Sequence, residues 1–425
     1  MTSRSIGTVN RLVVKMGSQV VLSEHFDALV DTIAKLSLSK VQVVIVSSGA
    51  VAMGMRCLKL KERPRGLSRV QALAAVGQAE LIGRYNARLA THGCRCAQVL
   101  LTHEGLSDRR HAMNIRHTLE DVLTLGLIPV VNENDSVATE ELRFGDNDRL
   151  AAAVGTTIGA DLVVLLSDID ALYDADPRAS KDAQPVYEVA QIDDTIRAMA
   201  GAAGSSVGTG GMTSKIAAAE LSVGAGIPLV VASGAHPEVL EALLDGQVIG
   251  TRFAANANVG RRRHWIGFLS KVKGTLRVDA GAVVALNERG SSLLAAGLEA
   301  VEGSFGRGDS VRVVDNQGRE VARGLSGYAS EDLALICGCR SEDVLRVWVV
   351  LEALRHLAAV LRADEAVADE VLEGGLVEEG GGEDHEGIEP AACLIDALGD
   401  KVRGEGLLEL LLVLKGVVHL GEVWV

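Results

Sequence analysis

The chain has 425 residues, 48% hydrophobic and 23% charged, with only 3% aromatic. That is the balance of a soluble globular protein of two or three domains, with cores built from Val, Leu, Ile and Ala. Its formal charge of −14 disfavours a general affinity for nucleic acid or anionic membrane. The charge is uneven: 17 acidic and 5 basic residues fall between Trp348 and Val425, leaving 39 acidic and 37 basic residues in the nearly neutral remainder.

Met1 to Asn10 has no apolar core followed by a cleavage site, so the cytoplasm is the expected compartment. No run reaches the roughly 18 apolar residues of a membrane span; Leu407 to Leu420 comes nearest and is broken by Glu409 and Lys415. Through the first 260 residues, short apolar runs alternate with amphipathic stretches. Leu12–Val14, Val43–Val46, Ile128–Val131, Leu162–Leu166 and Ile227–Val231 read as strands buried on both faces. Phe26, Leu29, Val30, Ile33 and Leu36 recur at helical spacing, as do Leu119, Val122, Leu123 and Leu125 approximately. Continuous apolar strands alternating with helices imply a mainly parallel sheet covered on both sides, with ligands at the carboxyl ends of the strands.

The basic stretch Arg261–His264 separates this α/β block (1–260) from a second one (271–347). There the pattern turns short and β-like, at Gly274–Val278, Ser310–Val314 and Glu320–Arg323, and reads as a small barrel-like β domain. Residues 348–425 form an acidic tail rich in Val, Leu, Glu and Gly. Four of the six cysteines form the pairs Cys94/Cys96 and Cys337/Cys339, whose single intervening residue is tighter than usual zinc-ligand spacing.

Four polar clusters follow apolar runs. Lys15-Met16-Gly17-Ser18 can place an ammonium and loop amides on a phosphate, or be a solvated turn. Ser47-Ser48-Gly49-Ala50 enters a helix, as an anion site or as an ordinary strand-to-helix turn. Asn132-Glu133-Asn134-Asp135, with Phe144-Gly145-Asp146-Asn147-Asp148, is a density of carboxylates and amides suited to holding an ammonium and organising a cation; a solvated acidic loop is the alternative. Ser167-Asp168 ends the most apolar strand. Gly208-Thr209-Gly210-Gly211-Met212-Thr213-Ser214-Lys215 opens a helix near Ser214, where backbone amides and a lysine can meet a polyphosphate. Neither the Walker pattern nor a dinucleotide fingerprint is present.

In this order, and with Val46–Gly54 and Ala75-Val76-Gly77-Gln78, these clusters resemble the amino acid kinase family, in its glutamate-phosphorylating branch. Lys273–Ala282 looks like the start of a PUA domain. The resemblance spans about residues 9–346. It implies a three-layer αβα sandwich followed by a PUA barrel, and ATP-dependent phosphorylation of the L-glutamate γ-carboxylate to L-glutamyl 5-phosphate, the first step of proline synthesis. It also implies that Lys15 and Lys215 flank the transferring phosphoryl group and that Mg²⁺ neutralises the remaining charge. Ser48, Asp135 and Asn147 would hold glutamate. Lys15, Ser167, Asp168 and Thr209 through Gly210, Gly211, Met212, Thr213, Ser214 and Lys215 would hold the nucleotide. Feedback inhibition by proline, coupling to glutamyl phosphate reductase and a homo-oligomer belong to the same expectation.

Gln19 stands where a second Ser or Thr is usual, and Ser214 replaces a threonine. Ala171 replaces a glycine before Leu172-Tyr173, which would cost stability if that position needs a positive φ. No charged group is lost, so activity is expected. After Arg340–Arg346 the chain departs from the family's ending. Residues 347–425 are read either as a regulatory extension or as a shifted reading frame that replaced the final strand, leaving an open barrel edge. Competing readings are another carboxylate or carbamate kinase of the same fold, which the paired Asn/Asp clusters and the PUA-like block oppose, and RNA binding through the PUA-like block. The sparse aromatics and the single basic patch at Arg261–Arg263 disfavour the latter.

Overall fold

The computed structural model describes residues 8–137, 147–175, 177, 180, 182–202, 211–255, 270–289, 292–340, 343, 344 and 347. The chain divides into two compact units between Lys271 and Val272.

In the first unit the elements run β1 (Arg11–Met16), α1 (Ser18–Leu22), α2 (Phe26–Leu38), β2 (Gln42–Ser47), α3 (Ala50–Cys57), α4 (Leu67–Ala90), β3 (Cys96–Leu101), α5 (His103–Ser107), α6 (Arg109–Thr124) and β4 (Ile128–Glu133). They continue with α7 (Asn147–Ile158), β5 (Leu162–Ser167), β6 (Leu172–Tyr173), β7 (Pro185–Val186), β8 (Glu188–Val189), α8 (Asp194–Ala202), α9 (Met212–Gly224), β9 (Leu229–Ser233), α10 (Val239–Leu244) and β10 (Thr251–Phe253). β6 and β7 pair as a short antiparallel ribbon. The other strands form one sheet in the order β3-β4-β2-β1-β5-β9-β10-β8. The six strands from β3 to β9 are mutually parallel; β10 runs antiparallel to β9.

The five apolar runs are all central strands, because burial on both faces demands apolar residues at every position. Strand β9 starts at Leu229 rather than Ile227, just after Pro228, which has no N–H to give a ladder. Strand β3 escapes the apolar-run criterion because it lies at the sheet edge and is only partly buried. In α2, Phe26, Leu29, Val30 and Ile33 are fully buried, as their spacing predicts. Leu125 lies beyond the end of α6 and is 74% exposed.

Strand alternation decides what each side chain meets. Leu12, Val14 and Met16 of β1 enter the core shared with α2, α3, α4 and α10. Val13 enters the core shared with α6, α7 and α9. The result is helix layers on both faces of a mainly parallel sheet, the αβα sandwich expected. Lys15, in phase with Val13, therefore emerges on the α7/α9 side. β1 is followed by β2 on one flank and, after the excursion through β3 and β4, by β5 on the other. The crevice at this reversal of strand order is where such sheets bind ligands.

Helix α3 crosses α4 through two glycines. A Cβ on Gly77 would sit 1.8 Å from the Ala50 carbonyl oxygen and 2.4 Å from the Gly54 nitrogen, and one on Gly54 would sit 2.1 Å from the Leu73 oxygen. Only bare backbone allows this approach.

In the second unit, β11 (Val272–Val278), α11 (Ala280–Arg289), β12 (Leu298–Gly303), β13 (Ser310–Val314), β14 (Glu320–Leu325) and α12 (Ser330–Ile336) follow in order. The sheet order is β12-β11-β13-β14, with β11 and β13 parallel. Leu276, Val278, Val311, Val313, Phe305, Leu333 and Ile336 form its core. A Cβ on Gly274 would meet the Phe305 ring at 2.2 Å, so this aromatic packs directly on the glycine backbone. The three β segments that the sequence predicts are β11, β13 and β14; the structure adds β12 and both helices. The edge strands β12 and β14 do not pair with each other among the described residues. Residues 348–425 and the basic stretch 261–264 lie outside the described residues.

The glycine crossing gives a paired test. Gly77→Ala should destabilise the protein by about 1–3 kcal/mol by overpacking, despite alanine's higher helix propensity. A Cβ on Gly83, also in α4, would meet nothing within 4 Å, so Gly83→Ala should stabilise by about 0.5–1 kcal/mol. Denaturant unfolding of both variants checks this; a Gly77→Ala chain as stable as the parent contradicts the packing account.

Candidate active site

The polar clusters sit at the carboxyl ends of four adjacent strands, β4, β2, β1 and β5. Lys15 is the fifth residue of β1 and Lys215 lies in the first turns of α9, so the two come from different elements across the sheet reversal. Both reach one carboxylate. Lys15 Nζ is 2.6 Å from Asp148 Oδ1, and Lys215 Nζ is 3.1 Å from Asp148 Oδ2. The Asp148 side chain is fully buried, with Lys15 and Lys215 at 6% and 2% exposure. Burying three charges is costly even when they are paired, and rarely gains stability over an apolar cluster. The arrangement holds two ammonium groups against their mutual repulsion.

In the sequence Asp148 is one member of an acidic cluster. Its role follows from α7 starting at Asn147, which puts both residues in the first helical turn. Gly155, two turns further along α7, lets the helix lie close on β5, since a Cβ there would come within 2.8 Å of Val163.

Asn147 opens a second network. Its Nδ2 donates toward the Ser47 carbonyl oxygen (2.7 Å), Ser48 Oγ (2.9 Å) and Asn132 Oδ1 (2.8 Å), sharing two protons among three acceptors. Asn132 Nδ2 donates to Gln78 Oε1 at 2.8 Å, and Gln78 Nε2 to Gln98 Oε1 at 3.3 Å. Ser47 points the other way, its Oγ 3.0 Å from Tyr85 OH, which also donates to Met16 Sδ. Full burial raises the Tyr85 pKa above the usual phenol range, so the ring stays neutral under the site floor. Gly49 caps α3 at φ 105°, a left-handed conformation that suits glycine and turns the chain sharply after Ser48.

Strand β5 ends in buried Ser167, whose Oγ donates to Asp168 Oδ1 at 2.9 Å; Asp168 itself is exposed. Gly234 N donates to the Ser167 carbonyl at 2.8 Å, fixing the strand end. Helix α9 begins at Met212, two residues before the start read from sequence, with Gly211 as its cap, which brings no side-chain hydrogen bond to the first turn. Buried Met212, exposed Thr213 and half-buried Ser214 thus belong to its first turn. Asp135 occupies the turn after β4, partly buried.

The expected site residues Lys15, Ser48, Asn147 and Lys215 are therefore gathered around α7, with Ser167 and Asp168 at the neighbouring strand end. Thr209, Gly210 and the Phe144–Asp146 stretch lie outside the described residues. Sequence reading missed Asp148 as a bridge and Asn132, Gln78 and Gln98 as a relay. Ala171 is buried, and its φ is not positive, so alanine there carries no backbone strain. Burial pushes the thiols of Cys94, Cys96 and Cys337 above the usual range, which favours the protonated form. Among the described residues, no helix is long and apolar enough to cross a membrane.

Residues 10–233 match the amino acid kinase family, and residues 274–348 match the PUA domain. The chain is 44% identical to glutamate 5-kinase of Caldanaerobacter subterraneus subsp. tengcongensis over 342 residues, covering 79% of this chain and 92% of that protein. It is 46% identical to glutamate 5-kinase of Chromobacterium violaceum over 331 residues, 76% of this chain and 89% of the relative. The glutamate 5-kinase of Thermus thermophilus is also 46% identical, over 79% of this chain and 92% of its own length. On these matches the chain belongs to the amino acid kinase family and carries a PUA domain after its kinase domain.

Proposed function

We propose that the chain is a glutamate 5-kinase, transferring the γ-phosphoryl group of ATP to the γ-carboxylate of L-glutamate to give L-glutamyl 5-phosphate and ADP. The observation that carries this reading is the convergence of Lys15 and Lys215 on Asp148 beside the Ser48–Asn147 pair. The names of the relatives supply the substrate.

A glutamate side chain has a pKa near 4.3, so the nucleophile is already an anion at neutral pH and needs no general base. A carboxylate oxygen attacks the γ-phosphorus while the bond to the ADP oxygen breaks. The obstacle is the approach of an anion to a polyanion, and the two ammonium groups answer it by neutralising charge on the transferring group. Asp148 holds them in place. Ser48 and Asn147 hold the glutamate, and the Asp135 carboxylate pairs with its α-ammonium. Ser167, Asp168 and the start of α9 hold the nucleotide.

Mg²⁺ fits this site as a passenger on the nucleotide. Both oxygens of Asp148 are engaged by lysines, and magnesium is commonly held by substrate phosphates and water with few protein ligands. Bound there, the ion supplies further neutralisation of phosphate charge. Asp168, exposed at the end of β5, is the carboxylate that would hold it. The product is an activated acyl group, which suits direct consumption by glutamyl phosphate reductase. Proline inhibition, a homo-oligomer and action in the cytoplasm complete the reading.

Incubation with MgATP and hydroxylamine should give a hydroxamate with glutamate, and far less with aspartate or N-acetylglutamate. Absence of a glutamate-dependent hydroxamate rejects the assignment. Lys15→Ala, Lys215→Ala and Asp148→Asn should each lower kcat by about 10²-fold or more. Asp135→Asn should mainly raise the glutamate KM. Parallel losses in both parameters across all four variants would contradict this division of labour.

A further inference from the structure

We infer that Gln78 is a positioning residue for the amino-acid end of the substrate, acting through Asn132 to hold the Asn147 amide in place. The inference rests on glutamate being the substrate.

The polarity of the relay is set by the backbone at two points. The Ser47 carbonyl can only accept, so the Asn147 atom 2.7 Å from it is nitrogen. The Glu133 N–H can only donate, so the Asn132 atom 2.8 Å from it is oxygen. The other Asn132 atom is then nitrogen, and the Gln78 atom it meets at 2.8 Å is oxygen. That leaves Gln78 nitrogen toward Gln98 Oε1. All the donors point from the site toward the sheet edge.

Two consequences follow at the site end. Asn147 presents its Oδ1, which accepts from nothing among the described residues, as the group available to an α-ammonium. Ser48 Oγ already accepts from Asn147 Nδ2, so its own proton is left to give to a carboxylate. The crevice thus offers one acceptor and one donor in a fixed arrangement, the complement of an α-amino acid. Gln78 and Asn132 are 9% and 2% exposed, so water cannot readily replace a lost partner. Gly77, pressed against the α3 backbone, holds the next residue, Gln78, at this depth. Without the Gln78 acceptor, the Asn132 nitrogen is left buried without its partner, and the Asn132 amide that meets Asn147 is held only through the Glu133 N–H.

Steady-state kinetics on the full chain with glutamate and with glutarate, which lacks the ammonium, test this. Gln78→Met should raise the glutamate KM about tenfold or more, the value of a hydrogen bond to a charged group, with kcat and the ATP KM within about threefold. Its preference for glutamate over glutarate should shrink by a similar factor. Gln78→Glu keeps an acceptor for Asn132 and should restore most of the glutamate affinity. Gln98→Leu removes only the outermost acceptor, from an exposed position, and should shift the glutamate KM the same way by a smaller factor. An active parent with an unchanged glutamate KM in Gln78→Met overturns the inference alone. So does a fall in kcat with both KM values raised alike in Gln78→Met and Gln78→Glu, the mark of general structural damage. A parent with no glutamate-dependent turnover overturns the substrate assignment and this inference together.

Discussion

A single buried carboxylate, Asp148, holds the two halves of the site together. Lys15 arrives on β1 and Lys215 on α9, and two ammonium groups would not stay close in a dry crevice without a counter-charge between them. The cluster is a weak stabilising device, because three buried charges seldom outperform apolar packing. In the proposed reaction its use is electrostatic preparation: the cationic groups are in place before an anionic nucleophile and a polyphosphate arrive, so little reorganisation is left for the moment of transfer.

The rest of the fold serves that arrangement. Alternation along β1 sends Val13 and Lys15 to the α7/α9 face, while Leu12, Val14 and Met16 anchor the strand in the opposite core. Helix α7 delivers Asn147 and Asp148 from consecutive positions, one to the amide relay and the other to the lysines. In the proposed reading, phosphoryl chemistry and amino-acid recognition share one helical turn. On the other face, the Gly54–Gly77 crossing keeps α4 close enough for Gln78 to reach Asn132.

Much of this was legible in the sequence, for physical reasons. Strands buried on both faces must be continuously apolar, so β1, β2, β4, β5 and β9 stood out, whereas the partly exposed edge strand β3 did not. Polar residues directly after the apolar runs marked Lys15, Ser48 and Ser167. The partners were harder. Asp148 looked like one more carboxylate in an acidic cluster until a helix start at Asn147 turned it inward. Gln78 sat beside a glycine in a helix with nothing local to mark it as buried, and its role depends on Asn132, 54 positions away. Long-range pairing of this kind is set by strand order. The overall charge of −14 was a poor guide to the site, since most of the net negative charge falls from Trp348 onward.

The central claim is that a glutamate carboxylate oxygen becomes bonded to the γ-phosphorus of ATP. It can be tested directly with glutamate carrying ¹⁸O in its γ-carboxylate. When hydroxylamine intercepts the acyl phosphate at its carbonyl carbon, the carbon–oxygen bond breaks and phosphate leaves with the former carboxylate oxygen. The account predicts one ¹⁸O atom in each phosphate released. Phosphate containing oxygen from solvent water instead would mean that ATP is simply hydrolysed, and would contradict it.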